Sequence, residues 1–430
     1  MEAKTTCGPG KPVTGSCAFR GAKMALQPIT DALHLIHGPI VCQGHGWESR
    51  PTESSGSTLH RLALSTDIGE LDVVFGGDAR LSKTLEALVE RYDPPAIFVY
   101  QTCLPGMTGD DIDSVCRAAT EKLRRPILAI DAPGFSGGKL AGARKAGRVL
   151  LDKVIGSLEP NYSTATDVVL IGDYNVAGEA GQISRLLDGA GFRVMASIPG
   201  GGRFSEIAGA HRAQLALSHC SQALGDLGEQ YSARWSVPHI EASFYGAAQT
   251  SKSLRAAAEK LVAKGAPRRF LAQCRSFIAH EEMRFDWRLR PLRPHLSGKR
   301  ALLMTGGVKT WSLTRALNDF GMTVVGCTAN KTTPKDRALL RDALGDDGTL
   351  YDGLPLAELR RLLAEGGVDI VLGGGGARFE VAAAGLPWIE INHERRMALT
   401  GYEGAYALAS AIANAASRPS WRDLRAAAPW

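Results

Sequence analysis

Short apolar runs alternate with amphipathic segments along this chain, and a glycine-bearing turn usually separates the two. The stretch "LDVVFGGDARLSKTLEALVERYDPPAIFVYQTCLPGMTGDDIDSVCRAATEKLRRPILAIDAPGF" predicts strand, helix, strand, helix, strand. "TDVVLIGDYNVAGEAGQISRLLDGAGFRVMASIPG" predicts strand, loop, helix, strand, and the theme returns in "KRALLMTGGVKTWSLTRALNDFGMTVVGCTAN" and "VDIVLGGGGARFEVAAAGLPWIEIN". Near-continuous Val, Ile and Leu strands between helices predict an α/β protein with parallel sheets covered on both faces. Three Rossmann-like units follow, with junctions at "EPNYSTATD" and "RPLRPHLSGKR", where Pro, Gly, Ser and charge collect. The expected domains are 1–165, 166–295 and 296–430. Ser251 to Arg290 reads as mostly helix, broken at Gly265-Ala266-Pro267. Ligands of such sheets gather at the carboxyl ends of strands, which is where Cys103, Asp173, Cys327 and His393 fall.

A chain of 430 residues is too long for one core, which agrees with several domains. With 44% hydrophobic and 22% charged residues, disorder is not the default. The net charge of +6 is spread out and forms no basic stripe with interleaved aromatics, so nucleic acid is not an expected partner. "MEAKTTCGPGKPVTG" lacks the apolar segment of a signal peptide, and no run approaches the roughly 18 apolar residues of a membrane span. A cytoplasmic protein without a membrane partner is expected. Its eight cysteines then sit in a reducing compartment, where disulfides are rare.

The chemistry-bearing positions are few. "TGGVK" at Thr305 to Lys309 and "GGGG" at Gly373 to Gly376 each follow a predicted strand. Neither fits G-x-x-x-x-G-K-[ST], and neither gives G-x-G-x-x-G with a following ribose acid. They read as tight strand-to-helix turns, or as backbone N–H groups facing an anionic cofactor. Neither H-E-x-x-H nor C-x-x-C occurs, which excludes a zincin helix, a zinc ribbon and bacterial-ferredoxin spacing. "GSCAFRGAKMALQPITDALHLIHGPIVC" places Cys17 and Cys42 at the ends of an amphipathic stretch, and "TCLPG" holds Cys103. Flanking Gly and Pro suit irregular ligand loops. By spacing alone, metal ligation and plain burial both remain open.

Those segments, together with "DVVFGGDARL", "VYQTCLPGMTGDDIDSVC", "GDYNVAGE", "HRAQLALSHCS", "SFYG", "LLMTGGVKTWS" and "INHERRMALTGYEG", resemble the α-type subunits of the nitrogenase component 1 family. The resemblance covers essentially the whole chain, and is strongest to the E-type subunit of the iron–molybdenum cofactor assembly scaffold. It implies three domains surrounding a metallocluster pocket. It implies that Cys17, Cys42 and Cys103 ligate an iron–sulfur cluster, [4Fe–4S] or P-type, shared with a homologous β-type subunit in an α2β2 heterotetramer. Soft thiolate donors suit such iron. Cys220 in "LSHCS" would hold a second, larger iron–sulfur cluster of nitrogenase-cofactor or precursor type; molybdenum and homocitrate are left open. Electrons would come from a separate ATP-dependent iron–sulfur reductase, so the chain needs no P-loop. Arg50 and Lys309 are candidate cations beside the clusters. Cys116 and Cys274 read as core, Cys327 as a candidate pocket lining, and His37, His211 and His219 as structural.

Departures from the family pattern bear on the reaction. Nitrogenase α subunits carry a His-His pair where this chain has Ala143, Arg144 and Lys145, so dinitrogen reduction is not expected. The scaffold usually reads Ile-Asn-Gln-Glu where this chain has Ile391-Asn392-His393-Glu394, and its basic loop is thinned in "CTANKTTPKD" to Lys331. A histidine binds iron where a glutamine amide does so poorly, so His393 is a candidate second anchor for the large cluster. Retention suits a catalyst. The sequence therefore leans to a nitrogenase-like reductase of the methylthio-alkane type, cleaving the carbon–sulfur bond of a small thioether substrate. The scaffold subunit is the alternative.

Overall fold

The computed structural model describes residues 16–47, 52–54, 56–220, 224, 226–329, 332–392, 395–418 and 420–421. Three separate parallel sheets organise the chain. The first contains β1 (Leu33–His37), β2 (Leu64–Ser65), β3 (Ile97–Gln101) and β4 (Ile127–Ile130) in the order β2-β1-β3-β4. The second contains β5 (Asp167–Asp173), β6 (Arg193–Pro199), β7 (Leu215–Ser218) and β8 (His239–Glu241), ordered β6-β5-β7-β8. The third contains β9 (Arg300–Leu303), β10 (Thr323–Thr328), β11 (Thr349–Tyr351), β12 (Ile370–Gly373) and β13 (Trp388–Glu390), ordered β11-β10-β9-β12-β13. Every ladder is parallel, with Leu33 opposite Ile97 and Tyr100 opposite Ile130 in the first sheet.

The central strands are buried on both faces, which explains their unbroken apolar spelling. One core spans the first two sheets: Phe98, Tyr100 and Ile130 join Ile171, Ile198 and Tyr231. Burial of each such side chain stabilises the fold by about 1.5–3 kcal/mol. A second core, with Leu303, Phe320, Leu372 and Tyr402, belongs to the third sheet. The helices Ala247–Ala263 and Arg268–Leu289 are separated at the predicted Gly265-Pro267 break. Among the described residues no helix is long and apolar enough to cross a membrane.

In the first unit the elements relevant to the site are α1 (Ala18–Leu26), α2 (Ile40–Trp47), α3 (Glu70–Phe75), α4 (Asp78–Tyr92), α5 (Cys103–Thr108), α6 (Ile112–Leu123) and α7 (Lys139–Val149). Two local expectations are corrected. "LDVVF" is not a strand but the short helix α3. Asp72 Oδ2 accepts the Gly69 N–H at 2.9 Å, and Glu70 and Asp72 place negative charge at the helix start. "AFRGAKMAL" is not amphipathic in place: α1 buries all but one of its nine residues, Lys23 included. Its backbone packs against α7 because Gly21 and Gly142 lack side chains; a Cβ at either would collide with the other helix's backbone.

Candidate metallocluster sites

Cys17, Cys42 and Cys103 arrive on three different elements. Cys17 is the N-cap of α1, is bridged to Gly138, and has its carbonyl accepting the Gly21 N–H at 3.1 Å. Cys42 lies in α2, and Cys103 opens α5 directly after β3. Cys17 and Cys42 are half-buried and Cys103 is exposed. Gly134, in the turn after β4, lies against two of these thiols. A Cβ there would sit 2.7 Å from Cys103 Sγ and 3.6 Å from Cys17 Sγ. Burial pushes the Cys42 thiol up, Cys103 and Cys17 add to the push as neighbouring anions, and a hydrogen bond with Thr102 opposes it. The three thiols therefore share one neighbourhood, with a glycine where any side chain would fill the space.

That donor set fits an iron–sulfur cluster: three soft thiolates, two of them at helix starts, with no fourth cysteine beside them among the described residues. Among the described residues, no three His, Cys, Asp or Glu close round a single metal ion. Exposed apolar side chains surround the thiols. Ile40 and Val41 precede Cys42, Met107 follows Cys103, and Phe135 packs over Gly106. On α3, which packs against α5, Val74 is 72% and Phe75 83% exposed.

Cys220 follows β7, at the carboxyl edge of the second sheet, and packs against the core of the third. Around it the two units exchange charged groups. Glu179 opens α8 (Glu179–Gly189), and its carboxylate lies 2.6 Å from the Arg395 guanidinium, both side chains being almost fully buried. Burial alone would raise the Glu179 carboxyl, but Arg395 overrides it and holds it below the usual range. Asp173, the last residue of β5, is pushed up by burial and then by Glu179. His219 is held down to about 4 by burial, and its Nε2 lies 3.8 Å from Asp173. Lys309, at the start of the helix Val308–Asp319, donates to the Ile391 carbonyl at 3.1 Å and sits 5.5 Å over the Tyr245 ring. Burial raises the Tyr245 hydroxyl well above its usual range; Arg395 opposes this, and Asp173, Glu179 and Cys220 add to it. A thiol, two cations and two carboxyl groups thus meet between the second and third sheets.

Arg50 and His393, and likewise Cys7 and Lys331, lie outside the described residues. Cys116 and Cys274 are core residues, as expected. Cys327 is corrected: it is a fully buried member of the third sheet's core and not a pocket lining, and burial pushes its thiol up to about 12. His37 and His219 are buried among hydrogen-bonding or charged neighbours, and His211 pairs with Glu159 at 3.3 Å. Sequence reasoning missed Gly134, Glu179 and Arg395. The signal for Gly134 was the run Gly134-Phe135-Ser136-Gly137-Gly138 after a strand, which also spells G-x-S-x-G. Here it forms a 3₁₀ turn over the cysteines, with Lys145 Nζ donating to Ser136 Oγ at 3.2 Å, and not a nucleophile elbow.

Residues 17–417 match the family model described as nitrogenase component 1 type oxidoreductase. The chain is 45% identical over 416 residues, 97% of its length and 76% of the relative's, to the nitrogenase iron-molybdenum cofactor biosynthesis protein NifE of Bradyrhizobium diazoefficiens. It is 40% identical over an alignment of 441 residues, covering 100% of this chain and 96% of the relative, to the protein of the same name from Klebsiella pneumoniae. A solved structure of nitrogenase Cp1 at pH 5 superposes with a TM-score of 0.88 at 24% identity, over 100% of this chain and 93% of that one, and so shares the fold. With the family model reaching from Cys17 to the end of the last long helix, the chain belongs to the nitrogenase component 1 type oxidoreductase family, as an α-type subunit.

Proposed function

We propose that this chain is the E-type subunit of a scaffold on which a large iron–sulfur cluster, precursor to the nitrogenase iron–molybdenum cofactor, is matured and then released. The observation that carries this reading is the identity of 40–45% over nearly the whole chain to relatives named for cofactor biosynthesis. It favours the alternative in the sequence reading over the thioether reductase to which that reading leaned.

In this account the large cluster is cargo. Cys220 anchors it by one thiolate, and Lys309 and Arg395 supply positive charge for an anionic cluster between the second and third units, whose boundaries we place at 165/166 and 295/296. Glu179 neutralises part of that charge, so the pocket attracts an anion without trapping it. His393, outside the described residues, is the candidate second ligand, and a bond from it that is weaker than the Cys220 thiolate's is compatible with hand-over.

Cys17, Cys42 and Cys103 hold a second, resident cluster jointly with a homologous β-type subunit in an α2β2 assembly. When bound, that cluster supplies one-electron transfer; the electrons originate in a separate ATP-dependent iron–sulfur reductase. The apolar rim of Ile40, Val41, Val74, Phe75, Met107 and Phe135 supports a protein partner over this site, because exposed patches of this kind mark interaction surfaces. The assembly works in the cytoplasm. The test is Cys220→Ala in the purified complex. It is expected to lose the large cluster's iron and all donation to cofactor-deficient nitrogenase component 1, while keeping the interface cluster's electron-paramagnetic-resonance signal. Unchanged iron content and donation would overturn the assignment of Cys220.

A further inference from the structure

His37 closes β1 just before α2, and Asp110 ends the turn after α5. His37 Nε2 lies 3.0 Å from Asp110 Oδ2, with the two side chains 0% and 2% exposed. His37 Nδ1 lies 3.1 Å from the Thr66 hydroxyl, which already accepts the Gly38 N–H at 3.1 Å. A carboxylate only accepts, so Nε2 carries the hydrogen donated to Asp110, and Nδ1 of the neutral ring accepts from the Thr66 hydroxyl. The same carboxylate accepts the Gly77 N–H at 3.1 Å and the Thr108 hydroxyl at 2.9 Å. The Asp110 N–H reaches the Pro105 carbonyl at 3.1 Å, and its carbonyl accepts Gln101 Nε2 at 3.2 Å. On the other side, the His37 carbonyl accepts both the N–H and the hydroxyl of Thr102, at 3.1 and 3.0 Å, and Thr102 touches Cys42.

Two segments far apart in sequence, one leading into the helix of Cys42 and one leaving the helix of Cys103, are thus fastened through one buried pair. Burying such groups is unfavourable unless they are fully partnered, and these are. Neither touches the cargo pocket.

We propose that the His37–Asp110 hydrogen bond is the pin that sets the spacing of the Cys42 and Cys103 thiols, making both residues positioning groups for the interface cluster. This rests on the reading that those thiols hold that cluster. The test uses the anaerobically purified complex with its partner subunit, and reads iron release from the interface cluster to a chelator together with that cluster's resonance line shape. Asp110→Ala is expected to speed release by roughly ten-fold and broaden the signal, as lost outer contacts do at metal sites. Asp110→Asn, which keeps an acceptor for His37, restores slow release and the narrow line. His37→Phe keeps the ring and removes the donor, so it behaves like Asp110→Ala and serves where that variant does not fold. Leu85→Ala, a core truncation in α4, controls for general loosening. Wild-type release in both pin variants, or equally fast release in Leu85→Ala, overturns the pin. Free alkylation of all three thiols in the iron-replete wild type would instead overturn the cluster reading itself.

Discussion

Gly134 shows how one missing atom shapes a site. Its position beside Cys103 Sγ and Cys17 Sγ leaves room only for hydrogen, so Gly134→Ala drives a methyl against both thiols, where the proposed cluster would sit. That variant is expected to fold, to lose the interface cluster's iron and resonance signal, and to keep the cargo at Cys220; iron analysis with and without cargo checks this. His34 gives a second residue-scale prediction, away from the clusters. It stacks between Phe98 and Tyr100, its Nδ1 lies 2.7 Å from the Tyr100 hydroxyl, and burial holds it down to about 3. The folded chain keeps this imidazole neutral while the unfolded chain protonates it near pH 6.5. Its contribution is therefore fully present above pH 6.5 and is lost as pH falls towards 3, at about 1.4 kcal/mol per unit. Between pH 6.5 and 5 the wild type should lose about 2 kcal/mol more than His34→Gln, measured by thermal or urea unfolding at the two pH values. Gly and Pro flanks singled out the three cysteines in the sequence, but only the family resemblance proposed them as ligands. Gly134, Asp110 and Thr102 were not singled out, because each acts on a thiol that lies elsewhere in the chain.

At the scale of elements, the pattern of apolar runs located β5, β9 and β12 because those strands are buried on both faces. It misassigned α3 for the converse reason. Val73, Val74 and Phe75 are apolar without being covered by this chain, and apolar spelling alone does not reveal what does the covering. The helix α1 hid itself differently. Its Lys23 looks like a solvent-facing position, yet the ammonium is buried, hydrogen-bonded to Gln27 at 3.3 Å and pushed down to about 8 by burial. The exposed face of α3 carries its own prediction. Phe75→Asp is expected to change the stability of the isolated subunit by less than about 0.5 kcal/mol, since the ring touches little within the chain. The same change should weaken assembly with the β-type partner at least ten-fold, because a central aromatic anchor carries about 2 kcal/mol or more. Sedimentation of the mixed subunits against concentration reads this directly.

At the scale of the whole molecule, three parallel sheets gather chemistry-bearing side chains at two places, one at the first sheet's carboxyl edge and one where the second sheet meets the third. The first presents thiols beneath an apolar rim, and the second presents one thiol among buried charges. The three-sheet plan was readable from the chain's periodicity, whereas the choice between catalyst and scaffold was not. That choice turns on whether the larger cluster stays or leaves, and a short motif such as Asn392-His393-Glu394 does not encode an exchange rate. Relatives at 40–45% identity, named for cofactor biosynthesis, favour departure. The most direct measurement is to load the anaerobic complex with iron-labelled cluster, mix it with cofactor-deficient nitrogenase component 1, and follow the label. The account predicts that the label moves to the nitrogenase protein and activates it; a label that stays with this complex while a thioether is reduced to methanethiol would contradict it.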